Sequence, residues 1–195
     1  MEKPIDNEKL NQALGLLEEQ LELADAPPTE IVVCGGSALI AIGLIARTTR
    51  DVDIVALLQG GELKHSEPLP GHLVQAAAAV QEILNLPVDW LNSGPAMQLS
   101  MGLPEGFCDR LHKTTVGSRL TVHYIDRTDQ IYFKTFASAD RGGYHISDLK
   151  ALHPTAEELM CAARWCLEQD PSEGFRYIMQ EMLTQSGWPY VAQQI

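Results

Sequence analysis

An uncharged apolar run interrupted by glycine is the feature that most constrains how this chain folds. The run extends from Ile31 to Ala46, and Gly35-Gly36-Ser37 breaks it. Its first part, Ile31 to Cys34, is apolar and β-branched, which predicts a buried strand. Ser37 is a plausible N-cap for a helix that continues to about Ala46. The sequence therefore predicts a buried strand, a tight turn and a buried helix.

Two aspartates follow, at the start of the next predicted strand, which runs from Asp51 to Leu58. Asp51 and Asp53 are two residues apart, so a strand places both side chains on one face. Two carboxylates side by side repel each other, and a bound divalent cation such as Mg²⁺ removes that penalty. This spacing therefore predicts a metal-binding pair, with a solvated strand end as the simpler alternative.

The glycine turn and the carboxylate pair together indicate a more specific site than either feature does alone. Glycine lets a ligand approach the backbone closely, and the N-terminus of a helix favours phosphate. A helix of about ten residues is roughly 15 Å long, so it can return the chain along the sheet to a neighbouring strand. We therefore expect the turn and the aspartates to face one cleft, as phosphoryl transfer requires. Alone, the two glycines indicate only a tight turn.

The same residues resemble a known superfamily. Gly35-Gly36-Ser37-Ala38-Leu39, followed by Arg47-x-Thr49-x-Asp51-Val52-Asp53, is similar to the DNA polymerase β-type nucleotidyltransferases. The resemblance is greatest to minimal bacterial members, such as toxin-like enzymes of the AbiEii type. It implies an α/β (α+β) nucleotidyltransferase fold, with a mixed sheet flanked by helices and a C-terminal helical part. It also implies that Mg²⁺ or Mn²⁺ is the cofactor and that an NTP is the substrate.

The resemblance further implies a set of site residues. Asp51 and Asp53 bind the metal, and the superfamily's third carboxylate corresponds to Asp89, in a predicted strand from Pro87 to Leu91. An isolated strand-end aspartate is the alternative for Asp89. The residues expected to contact the nucleotide come from the first motif: Gly35, Gly36, Ser37, Arg47 and Thr49.

A later segment is similar to the AbiEii-like group, which has a helical lysine followed by an arginine and an aspartate. Lys134 and Arg141 are seven residues apart, so a helix would place both on one face. The resemblance implies that Lys134 and Arg141 contact the nucleotide and that Asp148 orients Lys134 or assists the acceptor. A solvated basic helix face is the alternative.

Periodicity and turn signals divide the chain into an α/β core at residues 1–126 and a helical part at residues 127–195. The core is predicted to hold about four or five strands. The remaining expected elements are helices at Asn7 to Ala24 and Leu73 to Leu84, a loop at Glu62 to Pro70, strands near Thr115 and at Leu120 to Ile125, and helices at Gln130 to Asp140, Ile146 to Leu152, Ala156 to Gln169 and Gly174 to Ser186. Thr155 and Glu158 form a capping-box signature for the third of these C-terminal helices.

Composition limits the possible partners and surroundings. The formal net charge of −12 disfavours general binding to duplex DNA. The cysteines, at positions 34, 108, 161 and 166, form no CxxC pair, so we expect buried thiols in a reducing compartment. The polar N-terminus lacks an apolar signal region. We therefore expect a cytoplasmic protein with no membrane partner.

The leading hypothesis is a Mg-dependent enzyme that moves a nucleoside monophosphate from an NTP to a hydroxyl of RNA, protein or a small molecule. An antitoxin-like protein partner is a further expectation from the resemblance. The main alternative is a catalytically silent nucleotide-binding or protein-interaction module on the same fold. A dinucleotide-binding Rossmann domain is weaker, because GGSALIAIG does not give the GxGxxG pattern at the strand–helix junction.

Overall fold

A mixed six-stranded sheet organises the N-terminal part of the computed structural model, which describes residues 4–195. Its strands lie in the order β3-β2-β1-β6-β5, and β4 pairs with β2 outside that path. The bounds of the strands are β1 Thr29–Cys34, β2 Val52–Gln59, β3 Glu62–Lys64, β4 Leu91–Asn92, β5 His112–Thr115 and β6 Leu120–Tyr124. The architecture is α+β, as the sequence predicts.

Strand β2 has two short neighbours on the same edge. It pairs antiparallel with β1 along its other edge, from Ile31 opposite Leu57 to Cys34 opposite Asp53. On the edge that β3 and β4 share, the C-terminal end of β2 pairs with β3, and the first two residues of β2 pair in parallel with β4. This arrangement leaves the N-terminal end of β2, with Asp53, between β1 and β4.

The residues up to Leu103, together with Cys108–Ile125, form the first of two compact units. Helices α1 (Asn7–Leu23), α2 (Gly35–Ala41), α3 (Gly71–Leu84) and α4 (Met97–Met101) belong to it. Its core joins apolar side chains of α1 and α3 to one face of the sheet, including Leu17, Ile31, Ile54 and Val122. Burial of such side chains contributes about 1.5–3 kcal/mol each. Trp90 anchors the segment before β4, because its indole N–H donates to the carbonyl of Ala77 in α3.

The second unit comprises Pro104–Phe107 and Asp126–Ile195 and is helical. Its helices are α5 (Arg127–Arg141), α6 (Tyr144–Ala151), α7 (Ala156–Gln169), α8 (Glu173–Gln185) and α9 (Pro189–Ala192). Helix α7 begins with the predicted capping box, in which the Thr155 side chain accepts from the Glu158 backbone and Glu158 returns a bond to the Thr155 backbone. Phe133 stacks between Phe107 and Trp165 in the interior of this unit.

Several expected boundaries are wrong, and the errors fall on short elements. The predicted loop from Glu62 to Pro70 contains β3, which the Gly60-Gly61 turn connects to β2. Helix α2 ends at Ala41 rather than Ala46, before Gly43 with its positive φ of 74°. The predicted strand from Pro87 to Leu91 is mostly a turn, and only Leu91 and Asn92 pair with β2.

Two of the cysteines also differ from expectation, since Cys108 and Cys161 are exposed, whereas Cys34 and Cys166 are buried. None of these four cysteines forms a disulfide bond. Within residues 4–195, the helices lack a segment with the length and apolar character needed to traverse a bilayer.

Candidate functional site

Gly35 lies at the junction of β1 and α2, against the carboxylate of Asp53. Its φ of 72° is in the left-handed region that favours glycine. A methyl group built at Gly35 would lie 2.5 Å from Asp53 Oδ2, which is closer than real atoms approach. The β1–β2 register explains the contact, because Cys34 is the residue opposite Asp53. The predicted juxtaposition of glycine turn and aspartate is therefore present, and it requires glycine.

Gly36 makes a second close approach, to the loop that precedes β2. A methyl group at Gly36 would lie 2.7 Å from Thr49 Oγ1 and 3.4 Å from Arg47 Nη2. Thr49 is buried, and its backbone pairs with that of Ile5 through two hydrogen bonds of 2.7 and 2.8 Å. Arg47 is exposed. The motif residues Gly36, Arg47 and Thr49 thus meet beside the turn.

Asp51 and Asp53 lie at the start of β2, on the face opposite the core. Val52 and Ile54 alternate with them and are fully buried in the core of the first unit. Both aspartates are partly exposed. Asp51 is held by Thr49, whose hydroxyl donates to Asp51 Oδ1 at 3.2 Å. The two carboxylates therefore share the face that also carries the glycine turn.

Asp89 is not beside this pair on a strand, contrary to the expectation. It lies exposed in the turn before β4, because Pro87 and the anchored Trp90 keep this segment out of the sheet. On the β4 side, Asp53 pairs with Asn92, whose side-chain N–H donates to Asp53 Oδ1 at 3.2 Å. A metal role for Asp89 stays a prediction.

Asn92 is the residue that the sequence reasoning missed. It lies in Leu91-Asn92-Ser93-Gly94-Pro95, where Gly-Pro indicates a turn. A two-residue strand has no periodicity that a sequence pattern can reveal. The only available signal was a polar residue directly after an apolar one at the end of the segment.

Ser37 is not an N-cap. Helix α2 already begins at Gly35, with Cys34 in the capping position. Ser37 is therefore inside the first turn, where it is fully buried and its hydroxyl donates to the carbonyl of Cys34 at 3.4 Å. A contact between the Ser37 hydroxyl and phosphate stays a prediction.

In the second unit, Lys134 and Asp148 form a buried ion pair. Lys134 Nζ donates to Asp148 Oδ2 at 2.8 Å, and the side chains are 6% and 3% exposed. The Tyr144 ring lies 5.7 Å from the same ammonium, within the range of a cation–π contact. A solvated lysine is therefore the wrong description. Arg141, at the end of the same helix, is exposed and pairs with Asp140 at 3.3 Å.

The donor set at the start of β2 suits a hard divalent cation. Mg²⁺ prefers oxygen ligands and is usually held by one or two carboxylates together with substrate phosphates and water. Among residues 4–195, no group of three His, Cys, Asp or Glu side chains has a metal-holding arrangement. Asp51 and Asp53 therefore fit an ion that binds together with a nucleotide rather than one enclosed by the protein.

Comparison with known protein families also points to a nucleotidyltransferase. A model of the family described as "Nucleotidyltransferase of unknown function (DUF6036)" matches residues 10–153, which is more than half of the chain. No curated protein and no solved structure matches the chain significantly. The matched segment includes the glycine turn, Asp51, Asp53, Asn92 and the Lys134–Asp148 pair. The chain belongs to the DUF6036 family of nucleotidyltransferases of unknown function.

Proposed function

We propose that this chain transfers a nucleoside monophosphate from an NTP to a hydroxyl acceptor, with Asp51 and Asp53 as ligands of Mg²⁺ or Mn²⁺. The observation that carries the proposal is the contact between Gly35 and the Asp53 carboxylate in a chain of a nucleotidyltransferase family. Glycine lets the backbone lie this close to another group, which suits a turn that holds phosphate beside a metal-binding carboxylate.

The residues around the turn have distinct proposed tasks. Gly35 and Gly36 let the backbone of the turn lie directly against Asp53 and Thr49, so phosphates that bind to this backbone would lie beside the metal ligands. Thr49 orients Asp51 through its hydroxyl. Arg47, exposed next to Gly36, supplies positive charge for the phosphates. A divalent ion, when bound, neutralises phosphate charge and polarises the reacting phosphoryl group.

In the proposed reaction, the acceptor oxygen forms a bond to the α-phosphorus. The bond from the α-phosphorus to the oxygen bridging to the β-phosphate breaks, and pyrophosphate leaves with the bonding electrons. The acceptor hydroxyl loses its proton to water. Catalysis then consists mainly of positioning and charge stabilisation, as expected for phosphoryl chemistry.

The test uses each NTP labelled at either the α- or the γ-phosphate, with Mg²⁺ or Mn²⁺ and separate acceptors: tRNA, total protein, aminoglycosides and, as a control, duplex DNA. We expect the α-label in one acceptor class and the γ-label in pyrophosphate. Transfer of the γ-label would instead identify a phosphotransferase and contradict the proposal.

A catalytically silent nucleotide-binding module is the second candidate. The observation that favours it is that the β4 neighbour of Asp53 is the neutral Asn92, whereas Asp89, the third carboxylate that the resemblance implies, lies in the turn before β4. NTP binding without label in any acceptor would support this module.

The resemblance to AbiEii-type enzymes adds the proposal of a toxin-like role with an antitoxin-like partner. Regulated expression in bacteria tests it, since growth should stop with the wild-type chain and continue with Asp53→Asn. Equal growth with both chains would contradict a toxin-like role.

A further inference from the structure

Each carboxylate oxygen of Asp53 lies beside a group from a different element. Oδ2 lies against Gly35, and Oδ1 accepts a hydrogen bond from Asn92 Nδ2 at 3.2 Å. The parallel register of β2 and β4 places Asn92 directly opposite Asp53. The orientation of this carboxylate is thus set by the turn on one side and by Asn92 on the other.

The amide of Asn92 can take only one orientation in this setting. Its Oδ1 accepts from the backbone N–H of Gly94 at 2.8 Å, and its Nδ2 also donates to the carbonyl of Asp89 at 3.3 Å. A backbone N–H only donates, and an ionised carboxylate only accepts. The oxygen must therefore face Gly94, and the NH₂ group must face Asp53. Both donors and the acceptor of the amide have partners.

Charge explains why an amide suits this position better than the other side chains that reach a carboxylate. A lysine or arginine here would neutralise Asp53 and compete with a cation. An aspartate would repel Asp53 and offer no proton to hold it. Asparagine donates a hydrogen bond and leaves the full negative charge of Asp53 available. Outer-shell partners of this kind orient metal-binding carboxylates and tune their affinity.

We propose that Asn92 is a positioning residue that holds Asp53 in the orientation required to bind a divalent cation with nucleotide. This inference rests on the proposed function. Asn92 acts through Asp53, so this carboxylate gains its orientation from a neutral donor.

The test measures Mn²⁺ affinity by electron paramagnetic resonance, in the presence of a non-hydrolysable NTP analogue. In Asn92→Leu the donor is lost at similar volume, and we expect Mn²⁺ binding to weaken about 10-fold or more, as for other outer-shell changes. Asn92→Gln keeps an amide donor on a longer side chain, and we expect it to lose less Mn²⁺ affinity than Asn92→Leu. Asn11→Leu removes an exposed amide on α1 and is the control.

A weaker Mn²⁺ affinity in Asn92→Leu that Asn92→Gln partly restores would support a positioning role, since a merely structural residue would lower the melting temperature of both variants without changing the dissociation constant. Unchanged affinity in Asn92→Leu would overturn the inference while leaving the proposed function intact. If Asn92→Leu does not fold, unchanged Mn²⁺ affinity in Asn92→Ala overturns it. A wild-type chain that binds no Mn²⁺ with any analogue would reject the proposed function and this inference together.

Discussion

Gly35 combines a backbone conformation that side chains rarely adopt with a space that Asp53 already fills. Its φ of 72° is left-handed, and the atom that a side chain would meet first is Asp53 Oδ2. Gly43 offers a comparison within the same chain, because its φ of 74° is nearly the same but no atom lies within 4 Å of a built methyl group. The two positions separate the cost of the backbone conformation from the cost of displacing Asp53.

Gly35→Ala should therefore destabilise the protein more than Gly43→Ala does. Left-handed strain costs about 1–3 kcal/mol at either position, and only Gly35→Ala also displaces Asp53. We expect Gly35→Ala to weaken Mn²⁺ binding as well, whereas Gly43→Ala should leave it unchanged. Urea unfolding and Mn²⁺ titration measure the two effects. Equal behaviour of the variants would contradict the role of the Gly35–Asp53 contact.

Lys134 shows what sequence reasoning at the residue scale lacks. Its spacing from Arg141 on α5 predicts a shared face, yet Lys134 is buried and Arg141 is exposed. The difference arises from Asp148, on another helix, which pairs with Lys134. The resemblance implies this neighbour, whereas helical spacing alone does not identify it. Lys134→Ala should therefore cost stability, because the substitution would leave Asp148 as an uncompensated buried charge.

Lys134→Ala should lower the free energy of unfolding by about 3–5 kcal/mol, the usual cost of breaking a buried pair. Lys134→Met combined with Asp148→Leu should recover most of that loss, and Arg141→Ala should change stability by less than about 0.5 kcal/mol. Urea unfolding measures all three. NTP affinity of the stable double variant then tests the proposed triphosphate contact of Lys134, and unchanged affinity would leave the pair with a structural role alone.

At the scale of elements, the sequence predicts the longer helices and strands, whose apolar residues recur at regular spacing. Helices α1, α3 and α7 and the strands β1, β2 and β6 follow from apolar spacing and caps, because their burial depends on one repeating face. Strands β3 and β4 have three and two residues, too few for a repeat. Their pairing depends on the edge that β2 offers, which is a tertiary property. For that reason, the sequence does not predict Asn92 as the neighbour of Asp53.

Helices α5 and α7 are joined by an ion pair that should respond to pH. Arg127 Nη1 donates to Glu158 Oε1 at 2.6 Å, and this hydrogen bond is the largest cause that lowers the pKa of the Glu158 carboxyl, while burial acts against it. A lowered folded-state pKa stabilises the fold above the ordinary value of 4.5. That contribution is lost as the pH falls through the lowered pKa.

Glu158→Gln should therefore lower the melting temperature at pH 7, and the difference from wild type should shrink as the pH falls below the ordinary value of 4.5. Both partners are about one third exposed, so solvent screening limits the ion-pair part to about 1 kcal/mol or less. Glu157→Gln is the control, because it removes an exposed charge from the same helical turn. Thermal melts across this pH range measure both variants, and a constant difference at all pH values would contradict the assignment.

At the scale of the whole molecule, the residues that the family model matches do not coincide with either compact unit. The match covers residues 10–153, which include the entire sheet, α5 and α6, but it ends before α7. The features that carry the proposed chemistry therefore all lie within the shared family segment, whereas α7, α8 and α9 lie outside it. This distribution ties the central claim to the first unit, where Gly35, Asp51 and Asp53 meet.

The most direct test of that claim is the thermal shift produced by Mg²⁺ and NTP together, in wild type and in Asp53→Asn. Asparagine keeps the shape of the side chain but lacks the charge. At nucleotide about 100-fold above its dissociation constant, binding adds about 2.7 kcal/mol, which raises the melting temperature by about 5–10 °C for a chain of this size. We predict that rise in wild type and its loss in Asp53→Asn, with little change between the two metal-free proteins. A wild-type chain whose melting temperature is indifferent to Mg²⁺ with every NTP would contradict the account.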